Sequence, residues 1–218
     1  MSTNETTELD SRPQSRREWS GYLRSLVLPL GLLVVIVGGL FWYQARSSDD
    51  AASDGFGTVQ LPADKNATSK SPDATVGRAA PDFLLKAPDG STLRLSDLQG
   101  HPVVVNFWAT WCPTCRSEMP EVVKTYETQK ASGLQIIGVN LRENDGKVSE
   151  YAKDHGAGFP MVIDRSGEVA RTWRIGGPNE GVPSTYFIDS TGVVRKVIFG
   201  LLTPRNIGEG LDSIKATS

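Results

Sequence analysis

The sequence predicts an α/β domain around a mixed sheet, preceded by one membrane-crossing helix and a tether. Three observations carry this. Buried-strand runs alternate with one-sided helical patterns through the second half of the chain. The last strands are joined by tight-turn residues rather than by a helix, and a single uncharged apolar run stands near the start. The 218 residues, with a formal net charge of −2, suffice for one domain with appendages.

The uncharged run from Leu26 to Tyr43 would span about 27 Å as a helix, close to the hydrocarbon thickness of a bilayer. Trp42 and Tyr43 sit at its far end, where amphipathic rings favour the interface. A buried core helix would show a polar face, and this run has none. A cleaved signal peptide fits less well, because Gln44-Ala45-Arg46-Ser47 is a poor cleavage site. Arg12, Arg16, Arg17 and Arg24 precede the run, whereas Arg46 is the only cation soon after it. That bias places the N-terminus in the cytoplasm and the remainder outside.

Residues 44–76, rich in Ser, Asp, Ala, Gly and Thr, read as a flexible linker unable to offset chain entropy by burial. The expected organisation is therefore a cytoplasmic segment at 1–24, an anchor at 25–43, the linker at 44–76 and a folded domain at 77–218. Within that domain Phe83-Leu84-Leu85, Asp89-Gly90, Leu93 and Leu95 suggest a hairpin. Pro102–Trp108 and Leu134–Val139 are buried-strand runs, and between them Met119, Val122, Val123 and Tyr126 mark one helical face. Lys147–His155 suggests a second helix and Met161–Ile163 a short strand. Ser184–Ile188 and Val193–Ile198 flank Asp189-Ser190-Thr191-Gly192, a hairpin turn. Thr203-Pro204 then starts a last helix carrying Ile207, Leu211 and Ile214.

The chain has only two cysteines, Cys112 and Cys115, where a strand should end and a helix begin. A thiol at a helix N-terminus gains from free backbone N–H groups and the macrodipole. Cys112 should therefore be the attacking thiolate, with Cys115 one turn later resolving the mixed disulfide. Pro113 suits the first helical turn, having no N–H to satisfy. As a staple, a loop this short would contribute only about 2 kcal/mol. As a zinc half-site, it would need further ligands, and His101 and His155 lack paired spacing. No cluster of Lys and Arg interleaved with aromatics points to nucleic acid.

Asn106-Phe107-Trp108-Ala109-Thr110-Trp111-Cys112-Pro113-Thr114-Cys115 resembles the active-site stretch of thioredoxin-like proteins, and within them the membrane-anchored TlpA-like group, which includes the thiol-disulfide proteins of cytochrome c maturation. Ala80-Pro81-Asp82-Phe83, Val182-Pro183-Ser184-Thr185 and Phe199-Gly200 extend the likeness from about Gly77 to the C-terminus. The resemblance implies a thioredoxin fold whose cis-proline is Pro183, and a catalytic acidic residue at Glu118. Trp111, Pro113, Thr114, Val182 and Pro183 are the expected substrate contacts. It also implies no cofactor beyond the Cys112–Cys115 disulfide and no metal.

Two departures stand out. Asn106 occupies the place of a buried aspartate and cannot titrate, so Glu118 or water would have to handle the proton of Cys115. Gly176-Gly177-Pro178-Asn179-Glu180-Gly181 is an apparent insertion, read as a neutral loop or as part of the substrate surface.

The expected activity is extracytoplasmic reduction of disulfides in exported proteins such as apocytochrome c, with a membrane thiol donor renewing the pair. Uncharged Pro113 and Thr114 would not stabilise the thiolate as a strong oxidant requires. The alternatives are a general disulfide oxidase or isomerase and a copper-handling module. The latter would want a further histidine and wider cysteine spacing, and a peroxidase would want a lone peroxidatic cysteine.

Overall fold

The computed structural model describes residues 33–39, 55–176 and 181–215. The chain forms two units, Met1–Asp50 and Ala51–Ser218. In the first, residues 33–39 form a helix, α1, with exposed side chains. Among the described residues no helix is long and apolar enough to cross a membrane. The rest of the expected anchor at 25–43, and all of 1–24, lie outside the described residues.

The second unit is built on β4 (Val103–Trp108), buried at every position. Because strand side chains alternate, Val103, Val105 and Phe107 enter one core while Val104 and Trp108 enter the other. Such two-sided burial explains the unbroken apolar run. β5 (Gln135–Leu141) and β6 (Met161–Asp164) continue parallel to it, as βαβ crossovers require. On the other side β7 (Ser184–Ile188) is antiparallel to β4, and β8 (Val194–Phe199) is antiparallel to β7. β1 (Gly57–Thr58), β2 (Phe83–Lys86) and β3 (Thr92–Arg94) complete the described sheet, in the order β1-β2-β6-β5-β4-β7-β8 with β3 beside β2. This is the thioredoxin fold, and its mixed sheet is the one expected.

Helices cover both faces. α2 (Pro113–Gln129), α3 (Asp145–Asp154) and α5 (Pro204–Lys215) send Met119, Val122, Val148, Ile207, Leu211 and Ile214 into one core. The opposite core takes Val169 and Ala170 of α4 (Glu168–Thr172) and gathers Phe83, Phe107 and Tyr186 around Trp173. The short helix α4 was not anticipated; five residues are too few to display a helical period. Leu95, expected in the first hairpin, opens a 3-10 turn instead. The β7–β8 turn follows its chemistry, with Asp189 Oδ1 accepting from Thr191 N and Val193 N, both at 3.0 Å, and Gly192 at φ 84°. Thr203 and Asn206 cap α5 reciprocally: Thr203 N donates to Asn206 Oδ1 at 2.7 Å and Asn206 N to Thr203 Oγ1 at 3.3 Å.

The expectation of a flexible linker over 44–76 needs correction. Residues 44–54 lie outside the described residues, but 55–76 are folded onto the domain. β1 pairs antiparallel with β2, Val59 N donates to Asp82 O at 3.1 Å and Gly77 N to Val194 O at 2.8 Å. Arg94 and Gln99 reach back to the carbonyls of Gln60 and Lys65, and Asp73 pairs with Arg174. Backbone pairing and distant side chains hold the segment, so its polar composition did not reveal its order. The folded unit therefore starts well before residue 77.

Candidate active site

Because β4 and β5 are parallel neighbours, the loops at their carboxyl ends lie side by side, and that edge carries the chemistry. The chain leaves β4 through Ala109-Thr110-Trp111 and enters α2 at Cys112, its N-cap, with Pro113 in the first turn. Cys112 is bonded to Cys115, with Cα atoms 5.3 Å apart. Its Sγ also accepts from Cys115 N at 3.1 Å, so a backbone donor already points at the sulfur that would carry a thiolate. Cys112 is 4% exposed and Cys115 fully buried. An incoming thiol or disulfide therefore meets Cys112 first, the arrangement expected from the spacing.

Pro183 faces this pair. Its peptide bond to Val182 is cis, as the resemblance implied, and Val182 O lies 3.7 Å from Cys112 Sγ. Gly200 N donates to Pro183 O at 2.8 Å, tying the start of β7 to the end of β8. Among the described residues of the second unit the exposed large apolar side chains are Val76, Trp111, Phe199 and Leu201. Trp111 precedes Cys112 and the other two flank Gly200, so three of those four belong to the segments around the disulfide. Such a concentration marks a protein-contact surface. Pro113 and Thr114 are exposed on the first turn of α2, and Val182 is half-buried. Gly177–Glu180 of the apparent insertion lie outside the described residues.

Glu118, one turn beyond Cys115 on α2, is 1% exposed and so turned into the core rather than to solvent. Its Oε1 accepts from Asn106 Nδ2 at 2.9 Å and its Oε2 from Leu202 N at 2.8 Å. Burial pushes its pKa up to about 7, against the downward pull of those two donors. Asn106 thus serves as a hydrogen-bond partner of Glu118 and of Thr185 Oγ1, 2.9 Å away, rather than as a proton carrier.

Glu143, not singled out from the sequence, lies at the end of β5. Its carboxylate accepts from Thr110 N at 2.7 Å, Thr110 Oγ1 at 2.5 Å and Asn140 Nδ2 at 2.8 Å. Burial alone would raise its pKa, but the bonds from Asn140 and Thr110, with Lys147 nearby, hold it below the usual range. It clamps the strand-to-helix loop two residues before Cys112. The available signal was positional: a carboxylate just past the strand beside β4 must sit next to the cysteine loop.

Among the described residues no three His, Cys, Asp or Glu side chains form a metal-binding group. His101 is exposed, and His155 is exposed with its ring stacked on Tyr151.

A disulfide capping a helix at the carboxyl edge of a thioredoxin-type sheet, opposite a cis-proline, defines a thiol–disulfide oxidoreductase. Comparisons with known proteins agree. Thiol-disulfide oxidoreductase ResA of Geobacillus thermodenitrificans is 39% identical over 140 residues, 64% of this chain and 78% of that protein. ResA of Bacillus subtilis is 34% identical over 139 residues, 64% of this chain and 75% of that one. A solved thiol:disulfide interchange protein of the thioredoxin family from Chlorobium tepidum matches with a TM-score of 0.57 at 30% identity, covering 67% of this chain and 99% of it. The AhpC/TSA family model matches residues 76–197, and the chain belongs to that family. The TlpA-like resemblance of the active-site stretch is borne out by these relatives.

Proposed function

We propose that this protein reduces disulfides in exported proteins, with apocytochrome c as the leading substrate, and that it works outside the cytoplasm from an anchor at residues 25–43. The carrying observation is the Cys112–Cys115 pair at a helix N-cap, opposite the Val182–Pro183 backbone and among exposed Trp111, Phe199 and Leu201. In the dithiol form the Cys112 thiolate attacks a partner disulfide, forming a mixed disulfide and releasing one partner thiolate. The Cys115 thiolate then attacks Cys112 Sγ, releasing the second partner thiolate and restoring the Cys112–Cys115 disulfide. Two electrons pass to the partner, and its two thiolates take up the protons. A membrane thiol donor renews the dithiol. Glu118, poised near pH 7, is the group that handles the proton of Cys115 as the pair opens and closes. The arginine bias before Leu26 supports the outside location of the domain.

The test uses the reduced full-length chain and a peptide carrying the paired cysteines of a haem-attachment site as a disulfide. Stoichiometric peptide reduction with formation of the Cys112–Cys115 disulfide is expected. Cys115→Ala should trap the mixed disulfide and Cys112→Ala should not. A peptide left oxidised, or trapping through Cys115, would refute the reading. A reporter fused after Ser218 that is active in the cytoplasm would refute the location.

A further inference from the structure

Beside the disulfide, on the side away from Pro183, a groove of about 730 Å³ opens between the loop after β5 and α4. Trp111, Leu141 and Ile175 give it apolar walls, and Arg142, Lys147 and Arg171 line it with positive charge. These cations are scattered in sequence and form no basic run; parallel pairing of β4, β5 and β6 gathers them at one edge. All three are exposed. The acidic side chain lining the groove, Glu143, accepts from Thr110 and Asn140 and has Lys147 nearby, so one carboxylate stands against three cations.

Arg142 is the most telling of them. It is one of two described non-glycine residues with positive φ, at 60°, a conformation that side chains other than glycine seldom adopt. Its guanidinium lies against Gly167, where a Cβ would collide with it, so the absence of a side chain there leaves the group its place. Among the described residues Arg142 makes no ion pair. Arg165 and Arg174, by contrast, are engaged by Asp145 and Asp73. Trp111 belongs both to the groove and to the apolar surface around Cys112. A polypeptide docked at the disulfide therefore has a continuous path into the cationic groove.

We propose that this groove binds an acidic, extended stretch flanking the disulfide of the partner protein, so that partners with carboxylates beside their cysteines are reduced in preference to others. The proposal rests on the disulfide-reductase reading and adds to it a charge class of substrate. Apolar docking at Trp111 supplies contact area, while the cations supply orientation and discrimination.

The test compares two peptides, each closed by one disulfide and identical except for a flank of glutamates or of lysines. Each is reduced by the dithiol form of the full-length chain, and the readout is the ratio of rate constants within one protein. Exposed ion pairs of modest strength predict a ratio of about 5 in favour of the acidic peptide at low salt. It should fall toward unity near 1 M salt, where the Debye length is about 3 Å. Arg142→Glu and Lys147→Glu should each bring the low-salt ratio to unity or below. Lys153→Glu, the same charge change at the far end of α3, should leave it as it was. A low-salt ratio of unity or below in the unmodified chain overturns the proposal. So does a ratio that survives both groove substitutions, or one that Lys153→Glu lowers equally. Hydroxyethyl disulfide separates the two failures. A chain that reduces it and both peptides alike retains the reductase reading and loses the groove, whereas a chain that reduces none of them loses both.

Discussion

Glu118 and Glu143 are both buried carboxylates close in sequence or space to the same cysteine pair, yet their proton affinities move in opposite directions. Desolvation raises both. Glu118 receives one backbone N–H and one side-chain amide, which do not offset that cost, and its pKa stands at about 7. Glu143 receives a backbone N–H, a hydroxyl and an amide and has Lys147 nearby, enough to hold it below the usual carboxylate range. Burial alone does not define a proton-transfer group. Donor count and a neighbouring cation decide whether a buried carboxylate titrates near neutrality or becomes a fixed anionic clamp.

The largest expected effect is on stability against pH in the oxidised protein. The folded pKa of Glu118 is raised, so the stability it contributes is full below about pH 4.5 and is lost as pH rises through about 7. Glu118→Gln does not titrate and should gain on the unmodified chain by on the order of 3 kcal/mol over that window. Glu143 has a depressed folded pKa, so its contribution is present above its unfolded pKa and is lost as pH falls through the acid range. Glu143→Gln should therefore lose ground as pH rises, the opposite sign. Urea unfolding from roughly pH 2 to 8, which takes in the acid transition of Glu143 as well as that of Glu118, reads both differences. Equal signs in the two variants would break the comparison.

A smaller effect is expected from truncating the clamp. Glu143→Ala leaves Thr110 N–H and Asn140 without their acceptor, costing about 1–3 kcal/mol. It should also loosen the loop before Cys112, slowing disulfide reduction with a rise in KM. Thermal unfolding and steady-state kinetics together test this, and a variant of unchanged stability and KM would show Glu143 to be a bystander.

The smallest effect concerns the thiols. In the reduced protein Cys112 should titrate below Cys115, because the Cys115 N–H points at it. Glu118→Gln removes a negative charge one turn beyond Cys115 and should lower the thiol pKa values by up to about one unit. Glu143→Gln should also lower them, but less, since that charge is tied up with Thr110 and Asn140. Thiolate absorbance against pH distinguishes the two, and curves unmoved by Glu118→Gln would remove it from the proton-handling role.

Much of the frame was readable from residue patterns alone. The two-sided burial of β4, the amphipathic α2, the Asp189–Gly192 turn and the Thr203-Pro204 start of α5 each rest on neighbours within a few residues. Cys112 and Cys115 were equally plain, because their chemistry depends on a local strand-to-helix step. Pro183 and Glu118 entered only through family resemblance. The structure then placed Pro183 opposite the disulfide and Glu118 in a buried niche.

The sequence by itself determined the order of the longer strands and helices, the reactive pair and the place where the chain reverses, since each is set by periodicity, turn chemistry or spacing along a short stretch. Only the tertiary structure decided the rest. It docked residues 55–76 through strand pairing with β2 and side-chain contacts from Arg94, Gln99 and Arg174, and buried Glu118 between Asn106 and Leu202. It also closed Glu143 on Thr110 and brought Arg142, Lys147 and Arg171 to one groove. In each case the partners are far apart in the chain. A hydrogen bond, a pKa or a charged surface is a property of what surrounds a residue, and that surrounding is assembled only when distant strands pair.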